Sequence, residues 1–103
     1  MDSQSLSARV QFTLYSQEVS GRAKGFLSGV RPNHYVKPLD SCVIGEVEFD
    51  GGSIEPGQSK EATIKYIPWE PFNQLLQPGF EYEVREGSNS VGKVKILKIL
   101  SER

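Results

Sequence analysis

Residues 81–100 read EYEVREGSNSVGKVKILKIL, and the fold turns on whether Gly87–Lys93, GSNSVGK, is a phosphate loop or a hairpin. A glycine, four residues, then glycine and lysine is the spacing of the P-loop up to its lysine. Such a loop must follow a strand and open a helix, so that backbone N–H groups and the helix N-terminus face the phosphates. A Ser or Thr after the lysine must hold the metal. The preceding strand is present, because Phe80, Tyr82 and Val84 alternate with Glu81, Glu83 and Arg85. Val94 follows the lysine, however, and has no oxygen to offer. Beyond it Val94 and Ile96 alternate with lysines until Leu97, Ile99 and Leu100 interrupt the pattern, and these apolar residues form no helical stripe. This predicts a terminal strand from Val91 to about Leu100 with a bulge near Ile96–Leu97. Gly87-Ser88-Asn89-Ser90 is then the connection of a β-hairpin, since these residue types supply turn conformations. No GTP or other nucleotide site is expected there.

Period-2 alternation continues upstream. Ala8, Val10, Phe12 and Leu14 alternate with Arg9, Gln11, Thr13 and Tyr15; Val43, Gly45, Val47 and Phe49 alternate with Glu46 and Glu48; Ala62, Ile64 and Tyr66 alternate with Thr63 and Lys65. A shorter strand is expected around His34, Tyr35 and Val36. Pro56-Gly57 and Pro78-Gly79 suit the central positions of type II turns, and Asp50-Gly51-Gly52 is similar punctuation. Trp69 to Leu76, bracketed by prolines 68, 71 and 78, holds at most one short turn of helix. Short strands with regular turns and almost no helix predict an all-β barrel or sandwich. Residues 1–7 are expected to be a flexible N-terminus and residues 8–103 a single β domain.

A chain of 103 residues has room for one core, and 37% hydrophobic residues are enough to fill it. The longest apolar runs fall far short of the roughly 20 residues a membrane helix needs, and MDSQSLSAR has no apolar signal segment. A cytoplasmic protein that does not engage a membrane is expected. From Met1 and an end soon after the last predicted strand, an independent gene product is expected. The net charge of −1 gives no general attraction to nucleic acid. Residues 41–86 are acidic and both ends mildly basic, which predicts a solvated, mixed-charge surface. The lone Cys42 cannot staple the fold and is expected to be a small buried apolar group.

Catalytic constellations are absent from the sequence. One histidine and one cysteine make no metal-ligand cluster, and no cofactor motif is recognisable. Any nucleophile–histidine arrangement would run through His34, and there is no G-x-S-x-G elbow. A packed or hydrogen-bonded imidazole is expected instead. Glu46 with Glu48, and Glu81 with Glu83, are read as solvated strand faces. The chain is expected not to be an enzyme.

Taken in order, ARVQFTLYSQEVSGRAKGFLSGVRPNHYV, VIGEVEF, SIEPGQSKEATIKYIPW and FEYEVREGSNSVGKVKILKIL resemble the C-terminal β-barrel domain of elongation factor Tu over residues 8 to 100. The shared signatures are Ser16, Glu18, Gly21-Arg22, Phe26, Arg31-Pro32, Tyr35, Gly45, Pro56-Gly57, Pro68, Arg85-Glu86-Gly87 and Val91-Gly92. The resemblance implies a closed antiparallel barrel of about six strands. It implies no GTP hydrolysis, because the family's P-loop lies in a separate GTPase domain. It also places tRNA-backbone contacts at Asn33, Ile44, Glu86 and Gly87. Two positions depart from the family: isoleucine stands at 44 where the family has a threonine, and Asn89 replaces an arginine in the last hairpin.

Two functions follow. One is a protein-interaction module that binds a translation component, or a partner that normally recognises the elongation factor, as a decoy or immunity protein would. The other is a module for tRNA or ribosomal RNA with Arg22, Lys24, Arg31 and Lys93 on phosphates. The candidate contact residues for either are Arg22, Lys24, Arg31, Asn33, Glu86, Gly87, Asn89 and Lys93. The net acidity and the isoleucine at 44 favour the protein partner.

Overall fold

In the computed structural model, which describes residues 6–102, the first alternating stretch becomes strand β1 (Leu6–Leu14), with Ala8, Val10, Phe12 and Leu14 wholly buried. In chain order the other elements are helix α1 (Gln17–Ser20), strands β2 (Phe26–Leu27), β3 (Asn33–Val36), β4 (Ser41–Val43), β5 (Gly45–Phe49), β6 (Ser53–Ile54) and β7 (Ser59–Tyr66), helix α2 (Glu70–Asn73), and strands β8 (Glu81–Glu86) and β9 (Asn89–Glu102). β1 lies inside the sheet, antiparallel to β7 on one side and β9 on the other. Every ladder is antiparallel, and the seven-stranded sheet runs β4-β3-β8-β9-β1-β7-β5, with β2 and β6 forming a separate pair.

The sheet curls strongly around its apolar face, and each end of the curl is plugged. At one end Phe12 meets Phe49 and Phe26 edge-to-face, with ring centroids 5.1 and 6.3 Å apart, beneath the β2–β6 pair that also delivers the buried Ile54. At the other, Phe72 of α2 packs against Tyr66 and Tyr82. Each such buried side chain contributes about 1.5–3 kcal/mol by leaving water. The short helix therefore holds its place through Phe72 and not through helix propensity.

The turns follow their chemistry. Gln58 donates to the Glu55 carbonyl and Phe80 to the Gln77 carbonyl, at 3.1 and 3.0 Å, across Pro56-Gly57 and Pro78-Gly79; both glycines have φ near +90°. Both are turns of the expected kind. Glu86 pairs with Asn89 across Gly87-Ser88, so GSNSVGK is hairpin and strand, with Gly87 at φ 62°. The expected bulge is found at Leu97, where the β1–β9 register slips, and a second slip falls at Leu100. Gly92 is small for a local reason: a Cβ there would lie 2.3 Å from the Thr13 carbonyl oxygen of β1.

Four expectations are corrected. The sheet is not a closed barrel of six strands but a half-barrel of seven, because the stretch expected as one strand around Gly45 divides at Ile44 into β4 and β5, which lie at opposite ends of the strand order. The Ile67 N–H still donates to the Ile44 carbonyl at 3.0 Å, one step past the β5–β7 ladder. Pro68 then has no N–H, and the Trp69 N–H is taken by Asn73 Oδ1 at 3.2 Å while its carbonyl accepts from Phe72 and Asn73. With both residues withdrawn, no ladder continues along β4. Second, Leu6 and Ser7, placed with the flexible terminus, stand in β1, while residues 1–5 lie outside the described residues. Third, Cys42 is exposed, because on β4 the inward positions fall to its neighbours in the alternation. Fourth, the β2–β6 pair and α1 were not expected at all. No helix among the described residues is long and apolar enough to cross a membrane.

Candidate interaction surfaces

Where β7 leaves the sheet, strand parity puts two isoleucines outside. Val43, Gly45 and Val47 point inward, so Ile44 points out; Tyr66 points inward, so Ile67 points out. Ile44 is 55%, Ile67 57% and Trp69 42% exposed, and with Cys42, Val43 and Pro68 they line an open cleft of about 260 Å³. A second cleft of about 310 Å³ shares Ile44, Ile67 and Pro68 and adds Arg31, Glu46, Lys65 and Tyr66. The two form one groove, apolar at one end and charged at the other. Scattered exposed apolar residues are ordinary on a protein surface, whereas a contiguous patch rimmed by charge is a candidate contact surface.

The residues expected to make contacts do not form one site. Arg22, Lys24, Glu86, Gly87 and Asn89 come together at the hairpin end. There Arg22 forms an ion pair with Glu86, donates to the Lys24 and Gly25 carbonyls, and lies 4.4 Å over the Phe26 ring. Asn89 Nδ2 donates to the Ser20 carbonyl at 2.7 Å, so it ties the hairpin to α1. Asn33 stands elsewhere, opposite Arg85 on the β3–β8 ladder. Arg31 lies in the groove, 3.4 Å from Glu46. Lys93 belongs to a fourth place, across from Glu83 and beside Tyr15, Tyr35 and Lys37. Three of the four cations expected on phosphates thus each face a carboxylate, and the mixed-charge surface expected from composition is what the registers produce: Glu81 and Glu83 stand opposite Lys95 and Lys93.

His34 is wholly buried, as a packed imidazole. Its Nε2 lies 2.9 Å from the Gly45 carbonyl oxygen, its Nδ1 2.9 Å from the Tyr82 hydroxyl, and that hydroxyl 2.7 Å from the Tyr66 hydroxyl. A carbonyl only accepts, so a neutral ring donates from Nε2, Nδ1 accepts from Tyr82, and Tyr82 accepts from Tyr66. Burial pushes the His34 pKa down to about 4, against the Gly45 hydrogen bond, which raises it. The same burial pushes both tyrosines up, Tyr82 with added repulsion from Tyr66. The chain of hydrogen bonds satisfies the interior; no buried side-chain polar atom among the described residues lacks a partner.

Of the groove, sequence reasoning singled out Arg31 and position 44 but missed Ile67 and Trp69. The signal was present as two outward strand positions occupied by isoleucine, the second running into Pro68-Trp69. No protein-family model matches the chain.

Proposed function

We propose that this chain is a non-enzymatic protein-interaction module whose contact surface is the groove around Ile44, Ile67, Pro68 and Trp69. The observation that carries this function is the exposed apolar cluster itself, three large side chains about half exposed at one place on a small domain. Interface centres are poor in charge and rich in aromatic and aliphatic anchors, and Trp69 is the anchor of this patch. The resemblance to the elongation-factor barrel supports the same conclusion by contrast. The position at which it implies a threonine on tRNA carries an isoleucine here, inside an apolar cluster. The partner is a protein, of the translation apparatus or one that recognises the elongation factor.

RNA is the competing ligand, and the carboxylates beside Arg22, Arg31 and Lys93 weigh against it. The test places a photo-crosslinking amino acid at Ile44 and, as control, at the distant exposed Leu27, with irradiation in the native host cells. A protein adduct from position 44 and not from 27 is expected. Retention of tRNA on filters at micromolar or better affinity, weakening with salt, together with no protein adduct, overturns the proposal.

A further inference from the structure

We infer that the groove receives an extended acidic peptide of the partner, which adds as a strand to the free edge of β4. This inference rests on the protein-interaction reading and names the chemistry of the partner. Beyond its ladder with β3, the backbone of Ser41–Val43 makes no hydrogen bond among the described residues. A three-residue strand paired on one side has at least one residue whose N–H and C=O face away. Natural edges are guarded by shortness, charge, proline, a bulge or a cover; β4 is short, but Ser41, Cys42 and Val43 carry no charge, proline or bulge. The segment that would have covered this edge turns away at Pro68-Trp69, and the gap it leaves is the apolar cleft.

Strand addition takes affinity from backbone hydrogen bonds and specificity from pockets for alternate side chains. The apolar end of the groove accepts an aliphatic or aromatic side chain between Ile44 and Trp69. At the charged end Arg31 and Lys65 face a single carboxylate, Glu46, which leaves one cation in excess. An Asp or Glu at a same-facing position of the peptide complements it.

The experiment pans a random-peptide phage library on the full chain, then titrates the enriched sequence as a synthetic peptide by fluorescence anisotropy, with amide hydrogen exchange on the complex. Expected are sequences pairing an apolar residue with Asp or Glu at alternate positions, and slowed exchange at Ser41–Val43. Ile44→Thr and Lys65→Glu, both exposed and tolerant of a strand, should each weaken binding about tenfold, while Leu27→Asp leaves it unchanged. Peptides that bind without protecting the β4 amides, that show no acidic preference, or that ignore both variants overturn the inference. So does a dimer in light scattering that Ile44→Thr dissolves, since a second copy would then cover the edge. If panning recovers no binder, the inference fails, whereas a protein adduct from position 44 leaves the broader proposal standing; loss of that adduct removes both.

Discussion

The imidazole of His34 hangs from the carbonyl of Gly45, 2.9 Å away, and the absence of a side chain at Gly45 is what lets the ring come so close. A Cβ at residue 45 would lie 2.9 Å from Ile64 Cγ2, 3.0 Å from Tyr66 Cδ1 and 3.1 Å from His34 Nε2. Three neighbours must shift at once, and none is a free chain end. Gly45→Ala is expected to cost about 1–3 kcal/mol by overpacking, measured as a lower urea midpoint with unchanged slope. A midpoint equal to the parent would mean that the ring is not held there.

Protonating His34 costs stability. With the folded pKa lowered to about 4 and the unfolded one near 6.5, the unfolded chain takes up the proton first. The contribution of the neutral ring is complete above about pH 6.5, shrinks as pH falls, and is fully lost below about pH 4. At about 1.4 kcal/mol per pH unit the loss reaches about 3 kcal/mol. Urea unfolding at pH 7 and pH 4.5 should show it in the parent chain, and a His34→Gln chain should show a much smaller difference between the same two pH values. Equal slopes for both chains would assign the acid sensitivity to surface carboxylates such as Asp50, whose pKa the Arg9 guanidinium holds down.

Glycines at close backbone approaches give a third expectation. A Cβ on Gly25 would sit 1.8 Å from the Ile54 carbonyl oxygen, and one on Gly92 2.3 Å from that of Thr13. Backbone atoms give way only by moving a strand. Gly25→Ala should loosen the β2–β6 pair and uncover Phe26, at a cost of about 3 kcal/mol or more. Gly92→Ala should lower the thermal midpoint, and GTP should leave the midpoint of the parent chain unchanged. Stabilisation by GTP would revive the phosphate-loop reading of GSNSVGK.

Arg22 is expected to matter more than its ion pair. Glu86→Gln removes a half-exposed partner and should cost less than about 1 kcal/mol. Arg22→Ala also removes the donors to Lys24 and Gly25 and the cover over Phe26, for about 1–2 kcal/mol. A double-mutant cycle on the two residues, by urea unfolding, separates these contributions.

The strands with one wet and one dry face were legible because alternation records burial directly, and β1, β7 and β8 are of that kind. The division at Ile44 was not, since Val43, Gly45, Val47 and Phe49 keep their alternation through it. What changes there is the neighbouring strand, a long-range property that burial parity does not encode. The β2–β6 pair, two residues on each side, is too short to carry a period. For the surface, alternation leaves Ile44 and Ile67 at outward positions, a signal that went unread for Ile67, and it cannot bring the two together; their meeting depends on the β5–β7 register. Arg22, Glu86 and Asn89 were named among the candidate contacts but not placed together; the structure brings them to the hairpin end, tied to α1 and the loop after it.

Ile44 is also a tether. The two outermost strands of the curled sheet are separated by that residue alone, so their facing ends, Val43 and Gly45, stay within about 7 Å of each other whatever the sheet does. A sheet whose borders are leashed in this way cannot flatten by a hinge motion; it opens only by breaking a ladder. The β4–β5 wall of the groove is therefore one continuous stretch of chain, and a chain nicked or circularly permuted at this point would lose that wall before it lost its core.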